Sequence, residues 1–354
     1  MRTVIFSPPL RHVSGGLAAL WELAAILARQ GRAVALAGPE SLPGPPDIAD
    51  IPRLPWDAEG SFLKPDDIWL VPEGWPNALA PGFRAGARAL VYVQNWAFML
   101  TPLPRGVSWK RLAAAAAPER PMRFLAVSGP VRRFLTDFLN LDANSVLEAV
   151  LPPAVHPVFF RKGERPGGPV RIAFMPRKNK ALAEQIRLLA LELTEGRGIE
   201  TEFVSIHNLE REAVADILAS CHIFLSTGFP EGFALPPAEA MACGCVPVGF
   251  SGLGGFEYMR NPQPPPLPGL FEPPFALDDK PWGGNGFFTA DGDVPGAARA
   301  LALAVSLAGA GKGLWREMTA NGRRTALDYS QGAREARAAE IWKAFGSEKI
   351  CGNE

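Results

Sequence analysis

A chain of 354 residues is long enough for two domains or one large α/β domain, and 47% apolar residues are ample for a sizeable core. Lys+Arg and Asp+Glu are equal at 36 each, so no global field selects nucleic acid or an anionic membrane. No apolar run reaches transmembrane length, and the N-terminal run turns into Pro8-Pro9 too soon for a signal peptide, so a cytoplasmic protein is expected.

Apolar runs at 3–6, 33–37, 68–71, 89–93 and 124–127 read as strands, and a second series follows at 171–175, 201–205, 222–226 and 246–249. Helical segments between many of them predict parallel sheets covered on both faces. The first helix opens at Ser14, a natural N-cap. Leu20, Leu23, Ala24 and Leu27 form its apolar stripe and Gly31 ends it. Gly15 and Gly16 let a ligand approach the backbone where the helix end favours an anion; a plain loop with an N-cap explains them equally well. Gln94 and Asn95 follow the 89–93 strand. The alanine run at 113–117 is helix-prone and carries no chemistry.

Residues 152–170 hold Pro152-Pro153 and a Pro/Gly-rich stretch, which marks a boundary. The expected organisation is an N-terminal domain over 1–160, a C-terminal domain over 165–330 and a helix at about 331–350 returning to the first.

The second series carries more chemistry. Arg177, Lys178 and Lys180 follow its first strand and can neutralise a diphosphate, or simply form a charged turn before a helix. Glu231 follows the 222–226 strand, where open α/β sheets bind ligands. Its carboxylate suits vicinal hydroxyls; alone, it is an ordinary loop glutamate. Glu239 is placed in the first turn of a helix over 236–243, where either the helix dipole or a ribose diol accounts for it. The amides of Phe233, Ala234 and Leu235, beside Gly232, open the same helix towards a diphosphate. Gly252-Leu253-Gly254-Gly255-Phe256-Glu257 is a further glycine-rich strand-to-helix turn, in which Glu257 serves the site or caps a helix. Residues 261–274 form a proline-rich excursion or flap. Asp291-Gly292-Asp293 reads as a turn with an N-cap aspartate.

Cys221, Cys243, Cys245 and Cys351 suit a reducing compartment. Neither Cys243-Gly244-Cys245 nor His12, His156, His207 and His222 show metal spacing, so no metal site is expected.

Taken together these motifs resemble the retaining glycosyltransferases of the GT-B fold, in the "group 1" or family 4 class. The likeness is densest over 206–259, in the Glu231/Glu239 phrase, Glu239-Ala240-Met241-Ala242-Cys243-Gly244 and Gly254-Gly255-Phe256-Glu257-Tyr258-Met259. Ser14-Gly15-Gly16, the 124–128 strand, the 151–159 crossing and the 326–330 ending extend it over most of the chain. The resemblance implies two Rossmann-like domains with parallel sheets facing a central cleft, and a nucleotide-diphosphate sugar as co-substrate without any cofactor. It implies that Glu231 contacts the donor sugar, Glu239 the ribose, Arg177 with Lys180 or Lys178 the diphosphate, and Gly16 a phosphate through its amide. The acceptor, a glycan, lipid-linked sugar or small molecule, would enter from the N-terminal domain. Many members have a histidine where this chain has Gln94 and Asn95; either amide hydrogen-bonds a sugar, but neither is a base. Charge balance decides neither peripheral membrane contact nor oligomeric state. A non-catalytic nucleotide-sugar or glycan binder and a sugar-nucleotide epimerase are the rival readings.

Overall fold

The computed structural model describes residues 1–354 except 40–43, 102, 117–119, 162, 164, 166, 274 and 348–354. Ala117, Pro274 and Cys351 therefore lie outside the described residues, as does the end of the expected return helix. The chain divides at Pro152/Pro153, ahead of the expected 160–165 boundary, and the described residues from Arg334 onward rejoin the first unit.

The first unit holds seven parallel strands: β1 Thr3–Phe6, β2 Val34–Gly38, β3 Arg53–Pro55, β4 Ile68–Pro72, β5 Arg88–Val93, β6 Arg123–Ala126 and β7 Val146–Val150. Their order is β3-β2-β1-β4-β5-β6-β7. Helices α1 Gly15–Arg29, α2 Ala80–Ala85, α3 Trp109–Ala115 and α4 Gly129–Arg133 connect them. The inner strands β1, β4 and β5 are apolar on both faces because helices cover a parallel sheet twice. Ser14 caps α1 by accepting from the Leu17 N–H at 3.2 Å. Strands β3 and β7 escaped sequence reading because they are edges, with burial on one side only.

The second unit is a five-stranded parallel sheet: β8 Val170–Phe174, β9 Thr201–Ser205, β10 Ile223–Ser226, β11 Val246–Phe250 and β12 Phe287–Thr289. The order is β12-β11-β10-β8-β9. Helices α5 Lys180–Thr194, α6 Arg211–Ser220, α7 Leu235–Ala242, α8 Val294–Ala310 and α9 Leu314–Asp328 complete it. Ile172, Ile223, Val248 and Phe250 of the sheet pack with Ile186 of α5 and with Leu301 and Val305 of α8. Strand β12 is buried, but three residues are too few to carry a period. Asp293 caps α8 by accepting from the Gly296 N–H, as its turn predicts.

The last helix, α10 Gln331–Ser347, carries the chain back to the first unit. There Arg334 is buried against the Glu22 carboxylate and the Ala19 carbonyl, and the Trp342 indole donates to Thr3 Oγ1 at 2.8 Å. Among the described residues no single helix is long and apolar enough to cross a membrane. Cys221, Cys243 and Cys245 are buried free thiols, and burial pushes the Cys243 thiol up to about 12.

Candidate functional site

In the second sheet β8 has β9 on one side and β10 on the other. The winding reverses between β8 and β10, and such a switch point opens a crevice outside the strands' carboxyl ends. The residues after β8 and those after β10 meet there. Lys178 Nζ lies 2.6 Å from Glu231 Oε1, and both side chains are partly buried. Arg177, Lys178, Thr227, Gly228, Glu231 and Ala234 line a small cavity of about 50 Å3 between the two loops.

The two loops are fastened to each other. Asn179, in a left-handed conformation at the start of α5, donates its side-chain amide to the Thr227 carbonyl at 2.8 Å. A third loop, after β11, clamps Glu231 by its backbone: the Glu231 N–H donates to the Gly252 carbonyl and the Gly254 N–H to the Glu231 carbonyl. This contact requires glycine. Gly252 has φ +65, and a Cβ there would lie 2.6 Å from the Glu231 Cβ; one on Gly254 would lie 2.0 Å from the Gly232 carbonyl oxygen. Asp291 braces the clamp by accepting from the Gly252 N–H at 2.9 Å, and burial raises its pKa. Asn179 and Asp291 were missed as site supports; the left-handed tolerance of Asn hinted at the first, and the strand ahead of Asp291 is too short to have hinted at the second.

Several expected residues play other parts. Lys180 is exposed at the first position of α5 and does not line the cavity; Lys178 is the lysine that meets Glu231. Glu239 sits in the second turn of α7, not the first, because the helix begins at Leu235. That weakens the helix-dipole explanation. Glu239 is not among the residues lining the cavity, and burial pushes its carboxyl up to about 7. The Phe233 ring packs between Tyr258 and Tyr329, 5.0 Å from each centroid. Ala234 has φ 62 and accepts the Tyr258 hydroxyl on its carbonyl at 2.5 Å. Thus the 232–235 segment is held as a bent entry to α7. Glu257 is buried, paired with Lys280 at 3.1 Å and with the Tyr329 hydroxyl at 2.9 Å; it braces the fold.

The first unit has its own switch point, between β1 and β4. Gly15 and Gly16 begin α1 after β1, and the Gln94 Oε1 lies 3.5 Å from where a Cβ on Gly16 would stand. Sequence reading missed Glu73, which directly follows β4. Its carboxylate is buried and accepts the N–H groups of Gln94 at 3.1 Å and Asn95 at 2.8 Å. Burial pushes it up to about 7, against the pull of those amides. Asn95 turns its own side chain to the Ala97 N–H. A titratable group therefore stands behind the pair Gln94 and Asn95. Its one sequence signal was a carboxylate between a buried strand and Gly74.

Among the described residues no group of three or more His, Cys, Asp or Glu side chains converges as a metal site.

Comparison with known proteins identifies the class. Residues 179–266 match the family described as glycosyl transferases group 1. The matched segment includes Glu231, Glu239 and the 252–257 clamp. Solved structures similar over nearly the whole chain are a glycosyltransferase from Rickettsia africae ESF-5 (15% identity, TM-score 0.69, covering 98% of this chain and 99% of that one). Another is the catalytic domain of starch synthase IV from Arabidopsis thaliana bound to ADP and acarbose (13%, 0.60, covering 98% and 99%). At these identities the likeness is one of fold, and the fold is GT-B. More particularly, the chain is 35% identical over 96 residues to an alpha-1,6-glucosyltransferase of Actinobacillus pleuropneumoniae serotype 7 (strain AP76). That match spans 27% of this chain and 29% of the relative's length. The chain is thus a GT-B protein whose second unit carries the glycosyl transferases group 1 segment.

Proposed function

We propose that this protein is a glycosyltransferase that moves a sugar from a nucleotide-diphosphate sugar to a carbohydrate, lipid-linked or small-molecule acceptor, with retention and without a metal. The observation that carries this reading is the Lys178–Glu231 pair beside Arg177 at the switch point, with Glu231 inside the segment that matches the family and Lys178 directly ahead of it. Glu231 presents acceptor oxygens suited to the hydroxyls of a donor sugar. Lys178 and Arg177 supply positive charge to the diphosphate, so that charge building up on the leaving group meets fixed donors. Lys178 then takes the diphosphate role for which Lys180 was the other candidate. Glu239 serves the ribose, Gly15 and Gly16 offer backbone amides to a phosphate, and Gln94 with Asn95 face the acceptor.

A thermal-shift screen with nucleoside diphosphates and their sugars names the donor. Turnover of that donor should collapse in Glu231→Gln while donor-free melting is unchanged; full activity in this variant would overturn the assignment. Retention is checked by the anomeric NMR signal of the product, and metal independence by activity that survives a chelator. Donor stabilisation without turnover on a broad acceptor panel would favour a binding protein instead.

A further inference from the structure

The described residues of 258–286, between the clamp turn and β12, contain no helix or strand, yet both ends are fixed within one unit. Irregular segments of this length in a compact domain are either linkers or functional loops. A linker is excluded, because polar side chains anchor the roots. Asn261 accepts the Phe288 N–H at 2.7 Å and donates to the Phe271 carbonyl at 3.1 Å. Asn285, fully buried, accepts the Arg260 N–H and donates to the Tyr258 carbonyl and to Thr325 Oγ1. The Trp282 indole donates to the Tyr258 carbonyl as well. Two asparagines and a tryptophan thus do for this loop what a ladder does for a strand.

What the loop encloses is an open cavity of about 780 Å3, more than ten times the volume of the cavity at Glu231. It falls in the range of small-molecule pockets, roughly 300–1,000 Å3. Phe256, Phe271, Phe275 and Trp282 line it, and the Phe256 and Phe271 rings are 5.7 Å apart. Its two cations are already engaged: the Arg260 guanidinium donates to the carbonyls of Phe256, Met259 and Asp278, and Lys280 pairs with Glu257. The lining also carries Glu272, Asp278, Asp279 and Glu317. Negative excess and engaged cations disfavour an anion such as a phosphate or a nucleotide. Aromatic faces next to carboxylates suit a neutral ligand with apolar C–H faces and many hydroxyl donors.

We propose that this cavity is a second carbohydrate site, which binds a neutral glycan chain. Naming that chain as the acceptor's distal part rests on the proposed glycosyl transfer; the binding itself does not. The cavity is joined to the first site through one turn. Phe256 of its wall and Glu257 beneath it belong to the 252–257 segment that clamps Glu231. A glycan seated there is anchored on the element that holds the donor-side carboxylate.

The test is calorimetric titration of the full chain with maltoheptaose, chitohexaose and a neutral galacto-oligosaccharide, with sialyllactose and choline as anionic and cationic controls. At least one neutral oligosaccharide should bind. Phe275→Ala and Asp279→Asn should each weaken it by about tenfold or more, with unchanged melting and unchanged nucleoside diphosphate affinity. Absence of binding by all neutral glycans, equal affinity in both variants, or choline binding with the same dependence would overturn the proposal. Glycan binding in a protein that ignores every nucleoside diphosphate would sustain this site and sink the proposed function instead.

Discussion

After β10, Glu231 rests 2.6 Å from the Lys178 ammonium; after β4, Glu73 rests on the peptide N–H groups of Gln94 and Asn95. Both carboxylates stand at the switch point of a parallel sheet, one in each unit. A full positive charge at contact distance offsets a carboxylate's lost hydration far more than two peptide dipoles do. The buried Glu73 accordingly titrates near neutrality, at about 7. The first unit thereby holds a group able to exchange a proton near neutral pH, and the second a fixed pair able to hold hydroxyls and phosphates. In the glycosyl transfer proposed above, these would serve the acceptor and the donor respectively.

The largest test of that contrast is Glu231→Gln, expected to lower transfer by about 10²–10³-fold, as loss of one preorganised transition-state contact does. Steady-state kinetics checks it, and a loss below tenfold would break the contrast from the second unit's side. Next is the pH dependence of the first unit. The folded state raises the Glu73 pKa from 4.5 to about 7, so it binds a proton more tightly than the unfolded chain does. Its contribution is full below about pH 4.5 and is lost as pH rises through 7, by up to about 3 kcal/mol. Hydrogen-exchange protection factors in β4 and β5, which remove the base-catalysed intrinsic rate, should fall between pH 5 and pH 8, and Glu73→Gln should flatten that fall. Glu239, also about 7, gives α7 a slope of the same sign, so exchange must be read peptide by peptide.

Gly252→Ala comes third. Its positive φ and the short approach to Glu231 predict a loss of about 1–3 kcal/mol in local stability, with Glu231 displaced. Donor affinity falling together with protection of the 227–233 segment would confirm it. The smallest effect separates the lysines. Lys178→Ala should weaken nucleoside diphosphate binding by about tenfold, the worth of one charged hydrogen bond, whereas exposed Lys180→Ala should change it by less than about twofold. The reverse ranking would return the diphosphate to Lys180.

The sequence by itself determined the local and the repetitive. Buried parallel strands announce themselves as apolar runs, and the first of each unit falls within a residue of its expected place. The caps at Ser14 and Asp293 are local hydrogen bonds between residues three apart, legible for that reason. The phrase around Glu231 carried the family resemblance. Tertiary structure decided whatever depends on distant partners. Lys178 rather than Lys180 turns towards Glu231 because Asn179 ties its loop to the 227–229 segment. Glu257 became a brace because Lys280 and Tyr329 reach it across long sequence separations. Glu73 gained its near-neutral titration from a sheet that buries it, against the pull of the two amides that the next strand's loop sets upon it. A side chain's type is written in the chain, but its charge state and partners are set by which strand ends the winding of the sheet brings together.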